Sequence, residues 1–219
     1  MDLLEGDEVS PLRCVERTCN PHRDLRALHT TADVLAAGSG QEETLLKILQ
    51  MLETELGMIR GTVMLVSPDG SELQLAAATG VDEDKRGKVS YRVGEGVTGE
   101  VLRTGTSIIV PRISAEPRFQ DRVHSRDQSE KTRLSFICVP VVVGSQVVGS
   151  LAVDLACRDL AELEDQELLL AIVAGMIAHD VKARRMAHLQ HEALESENLK
   201  LRDALEENIR PANMVGNST

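Results

Sequence analysis

Three groups of residues have the types and spacing to do chemistry. The first is a pair of cysteines, Cys14 and Cys19, in a segment flanked by Pro11 and Pro21 and poor in apolar residues. Thiolates are soft ligands that favour iron-sulfur clusters, zinc or copper(I), and two on one segment can hold one edge of a metal site. Two ligands are not four, so a cluster would need His22, Cys138, Cys157 or the cysteines of a second subunit to complete it. The alternative is two unligated thiols in a tail. The second group is the basic segment 111–133, which carries Arg112, Arg118, Arg122, Arg126, Lys131 and Arg133. Guanidinium forks match carboxylates two bonds at a time. The alternative is that these cations pair with Glu116, Asp121, Asp127 and Glu130 of the same segment. The third group is Gly94-Glu95-Gly96-Val97-Thr98-Gly99, a GxGxxG run between a strand pattern and a helix pattern. A dinucleotide site needs that run inside a parallel strand-helix-strand unit, and the strands before it read as a hairpin. Tight turning and close helix-to-sheet approach explain the glycines instead.

Catalytic machinery is not visible. Walker A, HExxH and GxSxG runs are absent, and the six histidines lack zinc-ligand spacing. His188 and His191, three apart on a helix pattern, fit a metal or a solvated face. Cys138 sits in an apolar run and reads as a buried core thiol.

The elements that must position these groups follow from periodicity. Apolar residues at Leu25, Leu28, Ala32, Leu35 and Ala36 predict a helix over 23–37, and Leu45 to Leu56 a second over 42–56 that stops at Gly57. Strand patterns then occupy 61–66, 72–79 and 89–93, the first two joined by a Ser67-Pro68-Asp69-Gly70 turn. A short helix over 98–103, a strand over 107–110 and an irregular basic segment follow. Runs 134–143 and 146–155 flank Gly144-Ser145, a hairpin turn, and are apolar enough to be central strands. A long helix then runs from 160 to 209, entered through Asp159 and Glu162 as a capping box. Within it Leu194, Asn198, Leu201 and Leu205 fall at alternating three- and four-residue steps, the pattern of a dimer seam with an amide at one core position; a solvated linker helix is the alternative. The order predicts an α+β fold, an antiparallel sheet with helices packed on one face and a long C-terminal helix.

Composition excludes several classes. A net charge of -11 repels a phosphate backbone, so direct nucleic-acid contact is not expected. The acidic N-terminus is not a secretion signal, and the longest apolar stretch, 135–157, is interrupted by Pro140, Gly144, Gln146 and Asp154. The expectation is a cytoplasmic chain with reduced thiols and no membrane segment. With one Tyr, two Phe and no Trp, the chain has little stacking surface for haem, flavin or bases.

Tyr91-Arg92-Val93-Gly94-Glu95-Gly96-Val97-Thr98-Gly99-Glu100-Val101, Ile108-Ile109-Val110-Pro111, Pro117-Arg118-Phe119, Ile137-Cys138-Val139-Pro140-Val141 and Gly149-Ser150-Leu151-Ala152-Val153-Asp154 together resemble the GAF domain of the NifA/AnfA/VnfA family. These are activators of nitrogen-fixation genes that work with the alternative sigma factor sigma-N. The stretch from Asn198 to Ser218 resembles the junction into the family's central ATPase domain, and the Cys14/Cys19 pair is similar to that of the AnfA branch. The resemblance implies this organisation: a cysteine segment over 1–22, a sensory GAF domain over 23–182, a linker and dimerisation helix over 183–210, and the start of the ATPase domain over 211–219. It implies a homodimer that acts on its own ATPase domain, with a regulatory protein as a further partner. It places a ligand such as 2-oxoglutarate between the sheet and segment 111–133, which makes Arg112, Arg118, Phe119, Arg122 and Arg133 the candidate contacts, with Cys14 and Cys19 as candidate metal ligands. The asparagine-containing signature of cyclic-nucleotide GAF domains is missing, since 57–185 contains no Asn. An enzymatic alternative comes from GAF proteins that reduce free methionine sulfoxide, which would give Cys138 and Cys157 a catalytic role.

Overall fold

The computed structural model describes residues 20–67, 70, 72–81 and 89–209. Helix α1 (Pro21–Ala36) starts two residues before the periodicity suggests, because Asn20 caps it, accepting the Arg23 N–H at 3.3 Å, and Pro21 supplies a pre-set first turn. Of the expected inward face, Leu28 and Leu35 pack against the core and the other three residues do not. Ala27 and Thr31 are buried, while Leu25 is 64% exposed and Ala32 and Ala36 face outward. Thr31 tolerates burial because its hydroxyl donates to the Ala27 carbonyl at 2.8 Å. Helix α2 (Gln41–Leu56) buries Leu45, Ile48, Leu49, Leu52 and Leu56 and closes on Gly57, whose φ of 67° is the left-handed cap that glycine adopts without strain.

The chain then builds β1 (Ile59–Val66), β2 (Glu72–Ala78) and β3 (Ser90–Arg92), helix α3 (Gly96–Thr104) and strand β4 (Ile108–Val110). The segment expected to be irregular contains a 3-10 turn (Ile113–Ala115) and a short helix α4 (Gln128–Arg133). A capping box starts α4: Asp127 accepts the Glu130 N–H at 2.8 Å and Glu130 accepts the Asp127 N–H at 3.0 Å. Strands β5 (Leu134–Val143) and β6 (Gln146–Ala156) form the expected hairpin, and α5 (Leu160–Ile209) runs unbroken for 50 residues. Asp159 accepts the Glu162 N–H at 2.8 Å at its entrance.

All six strands lie in one antiparallel sheet of order β3-β2-β1-β6-β5-β4. Because side chains alternate along a strand, β5 and β6 each serve two cores. Ile137, Val139, Leu151, Val153 and Leu155 meet α1, α2 and the first third of α5, where Leu163, Leu170, Val173 and Ile177 are fully buried. Phe136, Cys138 and Ala152 point the other way, toward α3 and the 111–133 segment. From Arg185 onward every residue of α5 whose side chain is described is exposed. No described helix is long and apolar enough to cross a membrane.

Candidate functional site

On the face of the sheet away from the long helices, β1, β3, β5, β6, α3 and the 111–133 segment enclose a pocket. Tyr91, Phe119 and Phe136 all line it, and these are the only aromatic residues in the whole sequence. Phe119 meets Phe136 edge to face, ring centres 5.0 Å apart and planes at 81°. Tyr91 donates its hydroxyl to the Gln120 carbonyl at 3.0 Å, tying the segment to β3, and burial pushes its phenol above the ordinary value. Met64, Val97 and Val123 complete the apolar walls. The enclosed volume is about 30 Å³, room for one or two waters.

One side of the pocket is charged. Asp154, fully buried on β6, takes two hydrogen bonds from Arg126, Nε at 2.6 Å and Nη2 at 2.8 Å. Arg126 Nη1 reaches Asp121 at 2.5 Å, and its guanidinium lies 5.1 Å from the centre of the Phe119 ring. Arg60 pairs with Glu130 and stands 3.8 Å from Asp154, and Lys131 stands 3.3 Å from Asp121. Burial raises the Asp154 carboxyl above its ordinary value, and the two-pronged guanidinium opposes this, stabilising the carboxylate. The same neighbours, set against burial, hold Asp121 below the usual range. Arg60 and Ser125 have φ of 51° and 54°, a conformation that costs non-glycine residues energy and persists where surrounding contacts enforce it.

His124 is the titratable group of this wall that carries no charge near neutrality. Burial, then the positive charges of Arg126 and Arg60, bring its pKa down to about 4. One ring nitrogen, Nε2, lies 3.1 Å from Thr62 Oγ1, and the other, Nδ1, is buried without a hydrogen-bond partner.

Of the residues singled out in the basic segment, Phe119 lines the pocket and Arg112, Arg118, Arg122 and Arg133 do not. Arg118 is held by Glu116 at 2.8 Å, Arg133 by Ser129 at 2.6 Å, and Arg122 by Glu95 and the Ser90 carbonyl, over the Tyr91 ring. Arg112 is exposed. The pairing of Arg118 with Glu116, and of Arg126 and Lys131 with Asp121, is the arrangement the alternative reading expects. The residues that sequence reasoning missed are His124, Tyr91 and the Arg126–Asp154 pair. A signal for the last was available, since Asp154 interrupts an otherwise apolar central strand and a buried carboxylate requires a cation.

The glycine run has a backbone role. Gly94 and Gly96 have φ of 79° and 65°, and a Cβ at Gly99 would lie 2.3 Å from the Arg92 carbonyl oxygen. With no parallel strand pair in the described sheet, no dinucleotide fold surrounds it. Cys138 is fully buried, its thiol pushed up to about 12 by burial. Cys157 is exposed beyond the Leu134–Ala156 rung, whereas Cys138 pairs with Ala152, four rungs or about 13 Å away. Among the described residues no group of three His, Cys, Asp or Glu side chains could hold a metal. His188 and His191 pair with Glu192 and Glu195 along the helix at 3.3 and 3.1 Å. Leu194, Leu201 and Leu205 are 64%, 60% and 61% exposed, with Asn198 exposed between them. Cys14 and Cys19 lie outside the described residues.

The profile of the GAF domain matches residues 41–181. The chain belongs to the GAF domain family. It is 38% identical to the nitrogen fixation protein VnfA of Azotobacter vinelandii over 187 residues, covering 84% of this chain and 36% of that protein. It is 29% identical to AnfA of the same organism over 194 residues, covering 89% and 36%. Similarity is thus higher to VnfA than to the AnfA branch suggested by the cysteine pair. Other relatives carry the name Nif-specific regulatory protein. The chain spans about a third of the length of these relatives. Among solved structures, the GAF domain of A. aeolicus nlh2 in an inactive state superposes with a TM-score of 0.65 at 20% identity, over 75% of this chain and 98% of that one.

Proposed function

We propose that this chain is the N-terminal sensory domain of a cytoplasmic, sigma-N-dependent activator of nitrogenase genes, and that it controls an adjacent ATPase domain of the same polypeptide. The observation that carries the reading is the convergence of every aromatic residue and a buried ion pair on one pocket, across the sheet from the helix that leaves the domain. Asp154, which holds the pocket-lining Arg126, lies between Val153 and Leu155, which pack under the long helices, and six residues before Leu160, where α5 begins. A change in the Arg126–Asp154 contact therefore bears directly on strand residues that seat α5. Similarity to regulators named for nitrogen fixation supports the biological setting.

The output is a homodimer joined along Leu194, Asn198, Leu201 and Leu205, where exposed leucines on an otherwise polar helix favour a second copy. The input is a small molecule in the pocket, a partner protein, or a redox signal at Cys14 and Cys19, which with ligands from elsewhere could hold an iron-sulfur cluster or another metal. Anaerobic purification followed by iron, sulfide and zinc analysis separates the last input from the first. The test of the whole reading is the intact activator with and without residues 23–182. ATP hydrolysis and nitrogenase-promoter transcription must change when the domain is removed; if both are unaltered, the domain is not a regulator of its neighbour.

A further inference from the structure

The basic segment suggests an anion as effector, but Arg126 is the charged side chain in the pocket lining, and it belongs to a network in which cations and carboxylates balance. Arg60 Nη1, buried without a hydrogen bond 3.8 Å from Asp154, belongs to a residue outside that lining. Arg60, Arg126 and Lys131 face Asp121, Asp154 and Glu130. Arg126 is largely engaged: Nε and Nη2 bind Asp154 and Nη1 binds Asp121, which uses three of its five N–H donors, and the guanidinium lies against the Phe119 ring. An entering carboxylate would add negative charge beside Asp154, whose side chain has no exposure to water. Displacing Asp154 instead would leave that buried carboxylate without its cation, the costlier alternative.

The rest of the lining is uncharged. Three aromatic rings supply flat apolar walls, and His124, neutral at physiological pH, has a buried Nδ1 with no hydrogen-bond partner. Buried polar atoms are paired in nearly all folded proteins; of the few here that are not, this one belongs to a residue lining the pocket, where a ligand or an ordered water can complete it. The small enclosed volume means that anything larger than a few atoms must enter by displacing the segment that carries Phe119 and His124.

We infer that the pocket takes an uncharged molecule with a flat apolar body and one hydrogen-bonding end, held by His124 between the aromatic walls, and that it discriminates against carboxylates. This rests on the reading of the pocket as the effector site.

Two pairs of probes of nearly equal shape, one member uncharged and the other anionic, test it: acetamide against acetate, and benzamide against benzoate, with 2-oxoglutarate as a fifth. Each is titrated into the full 219-residue chain while NMR signals of Tyr91, Phe119 and His124 are followed. The expected result is saturable shifts at these residues with at least one amide, and binding at least about tenfold weaker for its carboxylate, which is ~1.4 kcal/mol. Asp154→Asn removes one carboxylate from the wall and should turn the preference toward the carboxylates. If that variant fails to fold, the wild-type pairs still decide. Equal or tighter binding of a carboxylate, 2-oxoglutarate included, at these residues overturns the inference and leaves the effector site standing. If no probe moves these signals, the inference fails and the effector reading fails with it.

Discussion

The two faces of the sheet are held together by different physics. The face under α1, α2 and α5 is an apolar core in which Leu49, Leu52, Leu151, Val153 and Leu170 are fully buried, and the buried charged side chains among the described residues, Arg126 and Asp154, lie outside it. The opposite face divides into two smaller apolar clusters, around Phe136 and around Tyr91, and beside them lies a network of paired charges including the buried Asp154 and Arg126. Apolar contact is non-directional and gains from any close fit, whereas a buried ion pair is stable only in one geometry and fails when one partner moves. The first face makes a platform for the helices. The second makes an arrangement that depends on one geometry.

That contrast can be broken most sharply at Asp154. Asp154→Leu leaves Arg126 buried beside Asp121 alone and should lower unfolding stability by about 3–5 kcal/mol, while adding Arg126→Met should recover most of the loss. Denaturant melts of the single and double variants check this; an equal loss in both would mean that the pair is not an interdependent unit. On the helix face Leu151→Ala should cost about 2–5 kcal/mol through the cavity it leaves, with no partner substitution able to restore it by charge. A smaller effect separates the faces by pH. His124 has a folded pKa of about 4 against 6.5 unfolded, so the unfolded chain takes up the proton first as pH falls. Stability should therefore decline between pH 6.5 and about 4 by up to about 3 kcal/mol, and His124→Gln should flatten that part of the profile. The Leu151→Ala variant should keep the wild-type slope. The smallest effect on folding belongs to α5 beyond the domain: Leu201→Ala should change the melt of the domain by less than about 0.5 kcal/mol. Light scattering at tens of micromolar should nonetheless show it shifting a dimer toward monomer; a monomeric wild type removes the seam.

The same contrast explains what could be read from the sequence. Helices α2 and α5 and the β5–β6 hairpin were legible because their cores are periodic in one chain segment, and Gly57 and Asp159 mark their ends by local backbone chemistry. The face of α1 was legible in part, at Leu28 and Leu35, because the buried stripe also includes Thr31, a polar residue made acceptable by a hydrogen bond to Ala27. The pocket was legible only in part. Segment 111–133 could be located by its charge, but which cation turns inward depends on Asp154, 28 residues further along, and on the Ser125 backbone, neither of which a local pattern reports. The three aromatic residues looked too few to form a binding surface, and they suffice because folding brings 91, 119 and 136 to one place.

Helix α5 is about 75 Å long at 1.5 Å per residue, and only its first part is clamped against the sheet. The 25 residues after Arg184 extend about 37 Å from the domain, so any rotation of the clamped half is carried out along an arm as long as that half itself. A rocking of roughly 5° at the fulcrum, smaller than many hinge motions, would carry the tip through about 3 Å. Displacements too small to open a cavity visibly at the pocket therefore become, at the far end, a shift comparable to the spacing between neighbouring side chains.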